Sequence, residues 1–578
     1  MYFRKKVSGG RVYLQIAESR RVGGQVRQRV ITTLGRLDQL QASGQLERLV
    51  RSGARFATRA MVVTAAQDDP TAAMRRIGPA LVFERLWAET GCCAVIDDMA
   101  AERRHEFGLE RAIFLTVLHR LMGGGSDLAA DRWCEDYRIA GAEALELHHL
   151  YRAMAWLGEE LPETEQDARV PLRADLGGRP WEPGTPFAPR CTKDLVEERL
   201  FAHRRDLFSR LDLVFMDTTS LYFEGAPLRA DHRGRRWEPG AGGQTLGRHG
   251  HSKDHRPDLR QMILAVLIDG EGRPVCSEMW PGNTADVTTL IPVIDRLRRR
   301  FAIGRICVVA ERGMISAETA AALEERRLLY LLGTRERSDK VVRDVVLADT
   351  APCVPLTLTK RGHETDYEAK AVTVGGRRYI LCRNHQEAAR DAAARQAILA
   401  SLERQLARGD KALVGNAGFR RFLKTEGHGH FAIDPTKAEK DARFDGVFVL
   451  RTNTDLDPLV AMLRYKQLWT VEATFRTAKH LLATRPIFHK LDETIRGHVF
   501  CSFLALVLKS ELEQRIAALG HDGSWSEILA DLDSLTETEI KHDDKRFLVR
   551  SSPRPAASLA LRAAGVALPP TVRPLASD

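Results

Sequence analysis

The stretch Leu211-Asp212-Leu213-Val214-Phe215-Met216-Asp217-Thr218-Thr219 decides the fold. Its residues 213 to 216 are apolar without a break and stop on the Asp217 carboxylate. A second run, Ile306-Cys307-Val308-Val309-Ala310, stops in the same way on Glu311. Short continuous apolar runs are expected of strands in a sheet covered on both faces. Ligands of such sheets gather at the carboxyl ends of the strands. A third acid, Glu472, is the only one between Pro458 and Leu491. Three carboxylates meeting there would offer hard oxygen ligands to divalent cations, which serve phosphoryl transfer.

Outward from Asp217, Met262 to Ile268 and Pro274 to Trp280 read as strands joined by the turn Asp269-Gly270-Glu271-Gly272. Thr284 to Arg300 reads as a helix, followed by the strand ending at Glu311 and by a further strand, Leu328 to Leu332. From about Ser338 to Phe448 an insertion carries strand-like runs (Lys370 to Val374, Tyr379 to Cys382) and a charged helix, Gln386 to Leu406. Three strands, helix, strand, helix, strand, insertion and long helix make the layout of an α/β, ribonuclease-H-like core. In that layout the first strand and the strand after the first helix are neighbours, so Asp217 and Glu311 are expected side by side.

Towards the N-terminus, Val12 to Ala17 and Arg27 to Ile31 alternate as strands around Val22-Gly23-Gly24. Arg20, Arg21, Arg27 and Arg29 make this hairpin basic, which suits either DNA contact or a plain structural role. Helical periodicity begins near Ala72: Pro79 suits a first helical position, and Gly91 closes the segment. Leu109, Ile113, Val117 and Leu121 repeat every four residues up to Gly123-Gly124-Gly125, and His149 to Leu157 is a further helix. Pro171, Pro180, Pro183, Pro186 and Pro189 then mark a linker. The expected division is a basic β module at 1–65, a helical DNA-binding domain at 66–170, and a linker with an entry helix at 171–205. The ribonuclease-H-like core follows in two parts, 206–337 and 456–515, around an insertion domain at 338–455, with a C-terminal tail at 516–578.

Composition sets outer bounds. The 578 residues are 44% hydrophobic and 28% charged, as in an ordinary folded protein, and 87 basic against 77 acidic side chains give a charge of +10. That sign suits a polyanionic partner. Nine cysteines without a Cys-x-x-Cys pair argue against a zinc ribbon or disulfide framework and for a reducing compartment. No signal peptide follows Met1-Tyr2-Phe3-Arg4-Lys5-Lys6, and the apolar run Val499 to Leu508 is too short to span a membrane. It is most simply a core helix, and a cytoplasmic protein without a membrane partner is expected.

Tyr465, Glu472 and Lys479 stand seven apart and share one helix stripe, because seven residues drift only ~20° around a helix. Phe475 and Arg476 join that stripe. Arg464, Lys466, Arg476, Lys479, Arg485 and Lys490 around a lone carboxylate suit metal binding beside gripped phosphates. The plainer alternative is a surface Glu472–Arg476 pair, worth only a few tenths of a kcal/mol. Arg229 to Arg260, rich in Arg, Lys and His, reads as a loop tracking DNA, with Lys253 and Arg256 as contacts, or as a solvated charged loop. His249, His251 and His255 within it fit phosphate contact or solvent exposure better than a metal site, since no cysteine accompanies them.

Taken together, these segments resemble DDE-type insertion-sequence transposases (transposase DDE domain), of the insertion-sequence-four superfamily and its long-chain branch. The matching segments are Leu211 to Gly225, His251-Ser252-Lys253-Asp254-His255-Arg256-Pro257-Asp258-Leu259, Pro281 to Asp286, Val309-Ala310-Glu311-Arg312-Gly313-Met314, and Tyr465 to Lys479. The family's Tyr–Arg–Glu–Lys signature is met by Tyr465, Glu472 and Lys479, while Leu468 fills the arginine position. The resemblance implies Asp217, Glu311 and Glu472 as catalytic and metal-binding residues for two magnesium or manganese ions. It implies phosphate contacts from Tyr465 and Lys479, and double-stranded DNA as partner, both as terminal inverted repeats and as target. It further implies a homodimer on DNA and a bacterial, nucleoid-associated setting.

One departure stands out. The family pattern is Asp-Arg-Gly where this chain has Glu311-Arg312-Gly313. The added methylene moves the carboxylate, and both octahedral magnesium and in-line attack tolerate misplacement poorly. Metal binding with weakened catalysis is expected, whether the change is natural decay or introduced. The alternatives are a DNA-end-binding remnant without catalysis and a metal-dependent nuclease of the same fold that cuts without joining.

Overall fold

The computed structural model describes residues 1–22, 25–54, 73–166, 189–204, 213–224, 246–301, 306–314, 316–360, 363–407, 420–426, 430–468, 476–477, 479, 484–542 and 545–574. The chain is a mixed α/β protein with two compact units. The smaller comprises residues 1–81, 136–138 and 523–578, and the larger comprises 82–135 and 139–522.

In the smaller unit, Tyr2–Ser8, Arg11–Val22 and Gln25–Arg36 form a three-stranded antiparallel sheet. The sequence pattern shows the second and third strands and hides the first. Ser8 pairs with Arg11 across Gly9 and Gly10, whose φ values of 56° and 72° are those of a tight primed turn that only glycine enters freely. The segment after 516 carries more than the expected tail. Helix Trp525–Asp533, hairpin Thr536–His542 with Lys545–Arg550, helix Pro555–Ala563 and strand Val572–Pro574 follow one another, and Met74–Arg76 completes a four-stranded sheet.

The larger unit is organised by a nine-stranded sheet. In chain order its strands are β1 Leu213–Tyr222, β2 Gln261–Asp269, β3 Pro274–Pro281, β4 Cys307–Ala310, β5 Leu329–Gly333, β6 Val354–Lys360, β7 His363–Val374, β8 Arg377–Asn384 and β9 Val447–Thr452. Across the sheet they lie β6-β7-β8-β9-β5-β4-β1-β2-β3. β1, β2 and β3 are antiparallel, whereas β1, β4 and β5 run parallel. The strands expected within the insertion do not form a sheet of their own: β9 pairs antiparallel with β5, and β8, β7 and β6 continue outward from it.

Val214, Met216, Ile263, Ala265, Leu267, Val308 and Ala310 share one core with Leu290, Val293, Ile294 and Leu297 of the helix Leu290–Phe301. That helix starts later than the sequence reading places it, after a 3-10 turn at Asp286–Thr288. Behind β3, a buried ion network joins helix Thr192–Arg204 to it. Arg300 meets Asp194 at 3.2 Å, Glu197 at 2.6 Å and Glu278 at 3.2 Å; Arg296 meets Asp194 at 3.1 Å and Glu278 at 3.2 Å; Lys193 meets Asp194 at 2.8 Å. Burial opposes the charges of Lys193, Asp194 and Arg300, and the partners outweigh it at all three, holding the Asp194 carboxyl well below its usual range, lifting Lys193 to about 12 and raising Arg300 well above its usual value.

The apolar run Val499 to Leu508 is the buried middle of a 27-residue helix, Asp492–Ala518. It crosses the helix Leu147–Gly158 backbone to backbone. A Cβ on Gly497 would fall inside the Met154 carbonyl oxygen, and one on Gly158 inside that of Glu493. Alanine at 497 would gain ~1 kcal/mol of helix propensity, yet both colliding groups are rigid helix backbone, and overpacking costs ~1–3 kcal/mol. We therefore expect Gly497→Ala to lower the thermal unfolding midpoint; a midpoint at or above wild type would contradict this crossing.

Candidate active site

The parallel ladder of β1 on β4 runs Leu213–Cys307, Val214–Val308, Phe215–Val309 and Met216–Ala310. The next residue on each segment is an acid, so Asp217 and Glu311 stand level where β4 ends and β1 runs on beside β2, as the strand order expected from the sequence requires. Asp217 is half-buried, and its Oδ1 accepts the Thr218 backbone N–H at 2.7 Å. Burial pushes its carboxyl from 3.8 up to about 6, and the nearby negative charges of Glu311 and Asp286 add to the rise, while Lys253 and the Thr218 amide oppose it. Glu472 lies outside the described residues.

Two groups close the site that the sequence reading did not connect. The Lys253 Nζ donates to the Thr218 carbonyl at 2.7 Å and to its Oγ1 at 2.8 Å, and pairs with Asp286 at 2.8 Å. Asp286 lies two residues after Thr284, beyond β3. No local pattern flags it, although it falls in the segment Pro281 to Asp286 singled out by family resemblance.

Tyr465 stands over the end of β5, with its hydroxyl against Gly333 where a Cβ would sit, a position also adjacent to the Arg312 amide. Its ring stacks on Phe448 at 6.1 Å. The helix carrying it is described as Pro458–Lys466. Neighbouring Lys466 turns to the face of Tyr367, 3.6 Å from the ring centroid. Lys479 and Arg485 both meet Asp254 Oδ1 at 2.7 Å, and burial lowers the Lys479 pKa against the pull of Asp254. Arg256 is exposed, forks onto Asp258 at 2.9–3.3 Å and lies over the Tyr222 ring, as does Arg485. Arg476 is exposed. The structure thus gathers Asp217, Glu311, Lys253 and Asp286 around the end of β4, with Tyr465 beside Arg312, and gathers Lys479 and Arg485 on Asp254.

A separate buried cluster holds Asp127, His489 and His498. His489 Nε2 lies 3.1 Å from both Asp127 and His498 Nδ1, and His498 Nε2 lies 3.1 Å from the Thr484 carbonyl. Arg120 occupies the same space, with Nη2 at 2.9 Å from His498 Nδ1 and 3.8 Å from Asp127. Burial opposes the Asp127 charge, but the His489 hydrogen bond and Arg120 hold its carboxyl at about 2. An aspartate already balanced by arginine is a structural network and leaves no charge for a cation to neutralise. Among the described residues, His249, His251 and His255 join no such cluster.

Comparison with known proteins places the chain. It belongs to the DDE transposase family: a profile described as "Transposase DDE domain" matches residues 208–508, just over half of the 578. A second profile, for the N-terminal domain of IS1634 family transposases, matches residues 3–68. Among solved structures, a piggyBac transposase synaptic complex with hairpin DNA, determined by cryo-EM, is similar over 79% of each chain, at 10% identity and a TM-score of 0.35. No curated protein is a match. Among the described residues, no helix is long and apolar enough to cross a membrane.

An ionised Asp217 held near 6 costs ~3 kcal/mol relative to an unfolded chain in which it titrates near 3.8. A raised carboxyl is favourable when protonated, so that advantage is lost as pH rises through about 6. Metal-free Asp217→Asn should therefore unfold at a higher temperature than wild type at pH 8, with the gap narrowing below pH 6 and closing towards pH 4. Thermal melts across that range that show no pH-dependent gap would contradict the assignment.

Proposed function

We propose that this protein is a DNA transposase with a ribonuclease-H-like core that cuts at insertion-sequence ends and joins the freed strand to target DNA, using bound magnesium or manganese. The adjacency of Asp217 and Glu311 where the parallel pairing of their strands ends, in a chain of the DDE family, carries this reading. The order β3-β2-β1-β4-β5, antiparallel in its first three strands and parallel in its last three, supports the ribonuclease-H-like assignment.

The donor set fits a hard divalent cation. Carboxylate oxygens suit magnesium and manganese, and a cation would stabilise the ionised Asp217 that burial, with smaller contributions from Glu311 and Asp286, disfavours. Asp217, Glu311 and Glu472 would hold two ions, which when bound activate the attacking oxygen and steady the leaving one. The protein's own part is orientation: the Thr218 amide turns the Asp217 carboxylate, and Phe448 and Gly333 fix the Tyr465 ring and hydroxyl. Tyr465, Arg476, Lys479 and Arg256 are the proposed DNA contacts, the module at 1–65 and the helical segment at 66–170 extend the DNA surface, and a homodimer would hold two element ends.

Glu311 favours a second reading, in which the protein occupies element ends without cutting them. Restoring the shorter acid separates the two. We expect Glu311→Asp to raise manganese-dependent cleavage and joining of labelled element-end DNA by ~10-fold or more, since misplacement by about 1 Å costs on the order of 100-fold. Undetectable cleavage by both proteins, with end binding intact, would favour the non-catalytic reading. Cleavage without joined products would favour a nuclease.

A further inference from the structure

Lys253 stands in a basic stretch and reads from the sequence as a phosphate contact. Its surroundings say otherwise. An ammonium has three donors, and here they meet the Thr218 carbonyl at 2.7 Å, Thr218 Oγ1 at 2.8 Å and Asp286 at 2.8 Å. The Lys253 backbone N–H is also taken, by Ser220 Oγ at 3.0 Å. The reason lies in the ladder. β4 stops at Ala310, opposite Met216, so β1 loses its partner on that edge at Asp217. Thr218 is 2% exposed, and an unmade hydrogen bond at a buried carbonyl costs ~1–3 kcal/mol. Lys253 supplies the missing donor, and Asp286 holds the ammonium in place. The same Thr218 peptide unit presents its N–H to the Asp217 carboxylate.

We propose that Lys253 and Asp286 are a positioning pair that fixes the Asp217 carboxylate for cation binding by clamping Thr218, and that Lys253 does not grip DNA. The proposal rests on the metal-dependent reading of the site given above. It separates cleanly from two simpler accounts. If Lys253 acted only as a nearby positive charge, removing it would tighten cation binding. If it gripped phosphate, removing it would weaken DNA binding and reduce the salt dependence by about one contact.

The test uses the full chain as wild type, Lys253→Met, Lys253→Arg and Thr218→Val. Mn2+ binding is followed by electron paramagnetic resonance, and binding to a random-sequence DNA duplex is followed across a salt series. Loss of an outer partner of a metal ligand weakens metal affinity ~10–100-fold. We expect Lys253→Met to weaken Mn2+ binding by ~10-fold, with Lys253→Arg closer to wild type and the DNA salt slope unchanged. Thr218→Val keeps shape and charge while removing one acceptor of the ammonium, so it should weaken Mn2+ binding less, in the same direction. It also decides the matter if Lys253→Met fails to fold. Tighter or unchanged Mn2+ binding in the folded variants, or a reduced salt slope for Lys253→Met, would overturn the proposal. Wild type that takes up no Mn2+ would overturn the metal-dependent reading itself, and this proposal with it.

Discussion

Register between two short parallel strands is the constraint on which the site depends. Four pairs, from Leu213–Cys307 to Met216–Ala310, bring Asp217 and Glu311 to the same level, where β4 ends and β1 continues. Val214, Met216, Val308 and Ala310 face one core, so Phe215 and Val309 face the other way, and the two acids continue that second alternation. A slip of one residue would turn every side chain of one strand to the opposite face. It would bury an acid in the apolar core and separate the pair. Packing and chemistry are therefore specified by the same few residues.

The rest of the core keeps that register from yielding. The helix Leu290–Phe301, which leads into β4, contributes Arg296 and Arg300 to the charge network shared with Asp194, Glu197 and Glu278. With Lys193, three cations meet three principal anions, so the group is nearly neutral although it is almost fully buried. Removing one member would strand an unpaired charge, at a cost of ~3–5 kcal/mol. Such a network adds little net stability over apolar packing, but it admits one arrangement of helix, helix and strand.

The sequence revealed the parts of this design that follow from local pattern. Unbroken apolar runs gave away β1 and β4, and the turn at Asp269 to Gly272 separated β2 from β3. Pairing partners are another matter. Strand β7 alternates as an ordinary half-exposed strand does, and nothing in that alternation says that its sheet continues through β9 onto β5. Along the chain Lys253 stands in a stretch rich in Arg and His, whereas its neighbours in space are a threonine and an aspartate from two other segments. Strand Tyr2–Ser8 carries no such signal, because its side chains are mostly exposed and do not alternate. Charge and hydropathy report exposure well, and long-range partnership hardly at all.

The segment between 469 and 483 has both of its flanks tied to the same sheet. Before it, Tyr465 rests on Gly333 at the end of β5. After it, Ile487 exchanges backbone hydrogen bonds with Tyr222 and Glu224, where β1 finishes. Each side of that segment is therefore anchored to the sheet independently of the covalent link between them.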